Sequence, residues 1–200
     1  ADWQKKTAAV FNAYVDTLYT RSAKRLGQLI AKVPGSNESF YVFNPLNWAR
    51  TDYSDYPYSG SSAISVLDKT TQLEVPFQRI SKNGKSYLRI LASEVPSLGY
   101  KVFEIRKKSS PATFPSSLVV SDSTIENQFY HIKFTRQGVI TSLYDKINRR
   151  ECVKPFDQLY VNDLGSGLGN QGEPIQIENK GAVSVSLLAT SYKPIKHQTR

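Results

Sequence analysis

The chain has 200 residues, 40% hydrophobic and 22% charged, which is the make-up of folded globular protein in one large or two small domains. No run approaches the roughly 18–20 consecutive apolar residues of a membrane helix, so a helical span is excluded. The excess of 26 basic over 17 acidic side chains, net +9, is spread over short clusters such as Lys5-Lys6, Lys24-Arg25 and Arg106-Lys107-Lys108, which argues against a nucleic-acid or membrane-surface partner.

The first element is a helix. Phe11, Val15 and Leu18, then Leu26, Ile30 and Val33, recur at three- and four-residue steps, and Pro34-Gly35 is a stop signal. Asp2 is placed to cap its start. A helix of about 30 residues would run roughly 45 Å. It is too long to pack on a small sheet, and no other segment reads as a helix of that length. It is therefore expected to belong to a bundle whose other members lie elsewhere.

A β region follows. Phe40 to Phe43 is an apolar run ended by Asn44-Pro45. Trp48 is expected to bury its ring and fix the turn, a contribution of about 2–3 kcal/mol. Thr51 to Gly60 reads as an aromatic polar loop carrying Tyr53, Tyr56 and Tyr58, which either stack on sugar faces or pack over a sheet edge. Ala63 to Leu67 leads through Asp68 to Thr71 into Leu73 to Phe77, a hairpin pattern. Asn83-Gly84 marks a second hairpin, since this pair favours the tight turn that matches strand twist. Tyr100 to Ile105 alternates, with Gly99 expected to supply the turn into it. Strands at about ten-residue spacing predict an antiparallel sandwich.

After a Lys-, Ser- and Pro-rich linker, Phe129 to Phe134 and Val139 to Tyr144 form a hairpin about Gln137-Gly138, with Asp145 at a corner. Gln158 to Val161, Ile175 to Ile177 and Ala182 to Thr190 read as further strands. A sheet stopping there leaves an unpaired edge. With methionine absent from 200 residues, the expectation is a piece of a longer protein.

The candidate chemistry is thin. The glycine-rich stretch with Gly165, Gly167, Gly169 and Gly172 lacks the Lys-Ser/Thr and the following helix of a phosphate loop. No nucleophile elbow is present. Cys152 with His131 or His197 is too small a set for a thiolate zinc site, and nothing local activates the thiol. Glu126, Asp145, Glu151, Asp157 and Asp163 are available carboxylates, but glycoside hydrolysis needs two that face each other at about 5–10 Å.

The run Phe40-Tyr41-Val42-Phe43-Asn44-Pro45-Leu46-Asn47-Trp48-Ala49-Arg50-Thr51-Asp52 resembles the strand and turn that open the first β region of glycoside hydrolase family 38 α-mannosidases. Val66-Leu67-Asp68 with Val75-Pro76-Phe77-Gln78 is similar to that family's next hairpin, except that a usual glycine is replaced around Thr71-Gln72. Val95-Pro96-Ser97-Leu98-Gly99-Tyr100 resembles its next strand entry. Ile125 to Tyr130, with Gly138 to Lys146 and Arg150-Glu151, resembles the start of its large galactose-mutarotase-like supersandwich. Residues 152–200 match more loosely.

The resemblance implies a mainly β fold: a bundle helix over 1–34, a small antiparallel β-sandwich over 35–108, a linker over 109–117 and the N-terminal part of the supersandwich over 118–200. It implies a parent enzyme that is a retaining exo-α-mannosidase, with a carboxylate nucleophile, an acid–base carboxyl and a zinc ion held by Asp and His. In the family these groups lie in an upstream α/β domain. No catalytic or metal residue is therefore carried over, and no cofactor is expected in this chain. The implied partners are the remainder of the enzyme and its carbohydrate substrate. The loop after Tyr160 supplies one expectation of a rim contact, Asn162 and Asp163. The alternative is a non-catalytic carbohydrate-binding or adhesion sandwich.

Overall fold

The computed structural model describes residues 2–30, 37–115, 118–154, 160, 163, 172–192 and 196–200. Helix α1 spans Asp2–Leu29 and buries none of its residues. It touches the β region near its end, where the Tyr41 hydroxyl donates to the Ala23 carbonyl and the Tyr41 ring lies against Gly27. Trp3, Phe11, Tyr14 and Leu18 face solvent, so the apolar periodicity of the helix up to Leu18 has no partner within the described residues, while Leu26 and Ile30 near its end are half-buried.

Six strands follow: β1 (Ser39–Asn44), β2 (Arg50–Pro57), β3 (Ile64–Asp68), β4 (Phe77–Lys82), β5 (Lys85–Val95) and β6 (Gly99–Lys107). They form two antiparallel sheets, β1-β6-β3 and β2-β5-β4. Between the sheets lies one apolar core of Phe40, Ile64, Val66, Val75, Leu88, Ile90, Ala92, Val95, Phe103 and Ile105. This is the antiparallel sandwich expected from strands at about ten-residue spacing.

Its hairpins follow local chemistry. Asn83 and Gly84 both take left-handed φ, 52° and 71°, and close β4 onto β5. After β3, Asp68 accepts the Thr70 amide and receives the Lys101 ammonium at 2.9 Å. Only a bridge, Leu67 to Glu74, pairs before the chain crosses to the other sheet. The left-handed residue in this turn is Gln72, φ 59°. Before β6 the left-handed residue is Leu98, not Gly99. Gly99 is needed for space, because a Cβ there would sit 2.8 Å from the Pro96 ring.

Two further expectations are corrected. Residues 50–57 are strand, not loop: Asp55 stands opposite Arg89 and pairs with it, and Tyr56 stacks on Phe40 with centroids 4.3 Å apart. Trp48 is not buried but 59% exposed. The turn is held instead by the buried Asn44 amide, which donates to the carbonyls of Trp48, Val95 and Pro96 at 2.7, 3.1 and 3.1 Å.

The remaining strands are β7 (Val119–Val120), β8 (Thr124–Glu126), β9 (Tyr130–Phe134), β10 (Ile140–Asp145), β11 (Arg150–Glu151), β12 (Gln176–Lys180), β13 (Val185–Ser191) and β14 (His197–Thr199). They make a five-stranded sheet, β11-β10-β9-β8-β7, and a three-stranded sheet, β12-β13-β14. The turn at Gly138, φ 83°, packs against Ala189 and Thr199, so the two sheets meet there. The β12–β13 turn is in turn clamped to the sandwich: the Gln78 Oε1 accepts the Val183 and Ser184 amides at 2.9 and 2.8 Å. The whole is mainly β, with a leading helix, a small antiparallel sandwich and two further antiparallel sheets. The expected strand over Gln158 to Val161 lies outside the described residues, apart from Tyr160.

Candidate functional site

Of the two rim residues expected from sequence, Asn162 lies outside the described residues, as does the glycine loop from 164 to 171. Asp163 is half-buried, and its backbone N–H donates to the Tyr160 carbonyl at 3.1 Å. Asp157 also lies outside the described residues.

The other candidate carboxylates are committed to structure. Glu126 binds the Lys146 ammonium at 2.5 Å. Asp145 caps its corner, accepting the Ile147 and Asn148 amides at 3.0 Å each and the Asn148 side chain at 2.7 Å. Glu151 accepts the Ser142 hydroxyl at 2.6 Å and the Leu143 amide at 2.7 Å. Lys146, the Asn148 side chain and the Ser142 hydroxyl, respectively, are the main donors that hold these three carboxyls below the ordinary range. A general acid near neutral pH needs the opposite shift. Cys152 is an exposed free thiol. Among the described residues no group of three His, Cys, Asp or Glu side chains stands close enough to hold a metal ion.

The tyrosines of the second strand separate by role. Tyr56 lies over Phe40 and donates to Glu38 at 2.9 Å; burial first, then that carboxylate, pushes its hydroxyl up to about 12. Tyr58 packs over Gly60 and beneath the Arg79 guanidinium. Tyr53 stays 53% exposed.

Tyr53 lines a cleft of about 180 Å³ at the end of the sandwich, where β1 parts from β2. Val42, Ala92 and Val95 contribute the apolar floor, and Arg50 and Asp52 stand with Tyr53 among the lining residues. A bulge shapes this corner. Arg50 faces Val95 and Asp52 faces Ala92, so β5 carries one residue more than β2 between them. The extra length is taken up at Glu94, in left-handed φ of 50°, whose amide donates to the Thr51 hydroxyl at 3.0 Å. Asp52 is fixed from two sides, by the Arg50 guanidinium and by the Tyr53 amide at 2.7 Å.

The Tyr53 ring has the Arg89 guanidinium 4.1 Å from its centroid. Arg89 is itself buried and bidentate on Asp55, at 2.7 and 2.8 Å, which raises its already high pKa. Its third bond, 2.9 Å to the Ser184 hydroxyl, joins this support to the β12–β13 turn. Tyr53 and Arg89 stand on the face of β2 and β5 turned away from the core, because Asp52, Ser54 and Tyr56 alternate with Tyr53 toward it, so the cleft itself offers the Arg50–Asp52 pair over an apolar floor. Asp52 is the one carboxylate among its lining residues, whereas glycoside cleavage needs two that face each other. Sequence reading singled out Tyr53 but not Arg50, Asp52 or the bulge, for which only the weak cue of alternating polar residues after Trp48 exists.

No protein-family model matches this sequence, and no curated protein matches it. Among solved structures, it is similar to the crystal structure of an alpha-mannosidase from Enterococcus faecalis V583, at a TM-score of 0.54 and 15% sequence identity. The match takes in 86% of this chain and 26% of that one, so this chain spans about a quarter of the length of the structure it resembles. At that identity the likeness is one of fold.

Proposed function

We propose that this chain is the non-catalytic β segment of a retaining exo-α-mannosidase that removes terminal α-mannose from glycans or oligosaccharides. The observation that carries this reading is the fold likeness over 86% of the chain to part of an alpha-mannosidase. The resemblance of four segments across residues 40–151, in the same order, to family 38 motifs supports it independently. In this reading residues 1–34 are a bundle helix, 35–108 a small sandwich, 109–117 a linker and 118–200 the start of a supersandwich. The bare apolar face of α1 is covered by the remaining bundle helices of the enzyme. The sandwich scaffolds the active-site cleft, and Asn162 and Asp163 contribute to its rim.

The zinc that the resemblance implies does not fit the described residues, which gather no set of three ligands. No chemical step is assigned to this chain. A second reading, a carbohydrate-binding or adhesion sandwich, draws on the cleft at Arg50 and Asp52, which has polar groups without a second carboxylate.

Immunodepletion tests the first reading. Antibodies to this chain are expected to remove α-mannosidase activity from an extract of its source, assayed on an aryl α-mannoside, while the 200-residue chain alone hydrolyses none. Undiminished activity after complete removal of the chain, or turnover by the chain alone, overturns it.

A further inference from the structure

We infer that the apolar stripe on the first part of α1 is a docking surface for another amphipathic helix, one with an acidic edge. At about 100° per residue, Trp3, Val10, Phe11, Tyr14, Val15 and Leu18 fall within an arc of about 140° and run along about 22 Å of the helix. They are between 46% and 75% exposed. The contact of α1 with the β region lies elsewhere, at Ala23 and Gly27, on another side of the helix. An apolar arc of this width is what a helix presents to a helical neighbour.

The charges choose the partner. α1 carries five cations against two carboxylates. Lys6, Arg21 and Lys24 lie along one edge of the stripe, with Arg25 at its end on the same side. Asp2 and Asp16 fall on the side of Ala23 and Gly27, and none of the four cations is in an ion pair among the described residues. An acidic edge on the incoming helix supplies the missing partners, as flanking charges do in coiled coils. A second copy of this chain does not, because two copies packed antiparallel set the basic edge against itself. A helix built for an anionic lipid surface spreads cations over its polar face, whereas here that face also holds both carboxylates. The inference deepens the proposed function and rests on it for the place of that helix, in the rest of the enzyme.

The probes are two synthetic helices of the length of α1 with the same leucine stripe, one edged with glutamate and the other with lysine. Each is titrated into the full 200-residue chain carrying Trp48→Phe, so that Trp3 alone reports. A saturable blue shift of Trp3 fluorescence is expected with the acidic helix, at an affinity about tenfold or more above that of the basic one in low salt, the gap narrowing as salt is raised. Arg21→Glu with Lys24→Glu should reverse the preference, and Leu18→Glu should abolish binding. These side chains are exposed, so the urea midpoints of the variants should stay with the parent's. A titration without saturation, equal affinity for both helices, self-association of the chain that Leu18→Glu abolishes, or tighter binding to phosphatidylserine vesicles than to the acidic helix overturns the inference. None of these outcomes alters the immunodepletion result, so failure here and failure of the mannosidase reading are told apart.

Discussion

Glu104, in the middle of β6, is almost fully buried yet charged. It accepts from Arg106 at 2.7 Å, Lys69 at 2.7 Å and Asn37 at 3.0 Å. Arg106 foremost, then Lys69 and Asn37, hold its carboxyl at about 2, against about 4.5 for an ordinary glutamate. The folded state therefore takes up this proton later than the unfolded chain as pH falls. The stability Glu104 contributes is complete above about pH 4.5, declines between there and about 2, and is gone below. Glu104→Gln is expected to destabilise the chain at pH 7, because Lys69 and Arg106 lose their shared acceptor. Its deficit against the parent chain should shrink as pH falls through that window. Urea midpoints of both proteins from pH 7 to 3 measure this; a deficit that stays constant would show that the charge adds nothing. Asp68 and Glu74 are shifted in the same direction, so the comparison, and not the parent's slope alone, isolates Glu104.

Between elements, the decisive contact is the one that seats the β12–β13 turn on β4. Gln78 satisfies two turn amides with its carbonyl and donates its own amide to Asn179 at 3.1 Å and to the Ser184 carbonyl at 3.2 Å. Gly181 lets the two chains approach: a Cβ there would lie 2.5 Å from the Gln78 oxygen. Gln78→Ala strands half-buried donors and is expected to cost about 1–3 kcal/mol. Gly181→Ala should act through the same contact by pushing Gln78 aside, so the double variant should cost less than the sum of the two. Hydrogen exchange at Val183 and Ser184 is the direct readout; protection unchanged in Gln78→Ala would rule the clamp out. The clamp also marks the limit of reading from sequence, since its partners are 105 residues apart and nothing local in either announces the other. Where structure follows from neighbours it was legible: Asn83-Gly84 implied its hairpin, Asp145 its corner, and three- and four-residue steps the helix. Residues 50–57 were not, because Asp52, Asp55 and Pro57 are poor strand formers. They are strand because Arg89 waits opposite Asp55 and Phe40 beneath Tyr56. Trp48 misled for the same reason: a large ring suggests burial, while the turn depends on the small Asn44 amide. Tyr53 could be picked out as an aromatic, but the cleft beside it depends on a bulge set by Glu94 across the sheet.

Across the whole molecule, apolar burial is uneven. Ten buried residues fuse into the sandwich core, and Phe114, edge-on to Phe77 at 5.6 Å, extends that packing into the linker. Beyond it, Leu67 and Ile80 are buried on sandwich strands, and after residue 115 the buried apolar side chains among the described residues are Val139, Val153, Leu188 and Ala189, which form no comparable cluster. Helix α1 has no fully buried residue. Because burial of apolar surface is the dominant favourable term, the sandwich should be the stable unit and the rest should depend on it. A chain of residues 37–115 is expected to unfold in urea in one cooperative transition and to show dispersed methyl signals. It gives up the bonds of Gln78 and Arg89 to the β12–β13 turn, so its midpoint should fall below that of the sandwich in the full chain. Residues 118–200 alone should lack a cooperative transition, having strands but, among the described residues, no shared core to close over. The opposite pattern, with 37–115 unfolded and 118–200 cooperative, would mean that the sandwich draws its stability from the later sheets. The Gln78 clamp would then be the route by which the sandwich is held in shape, not a strap from a finished core to a dependent hairpin.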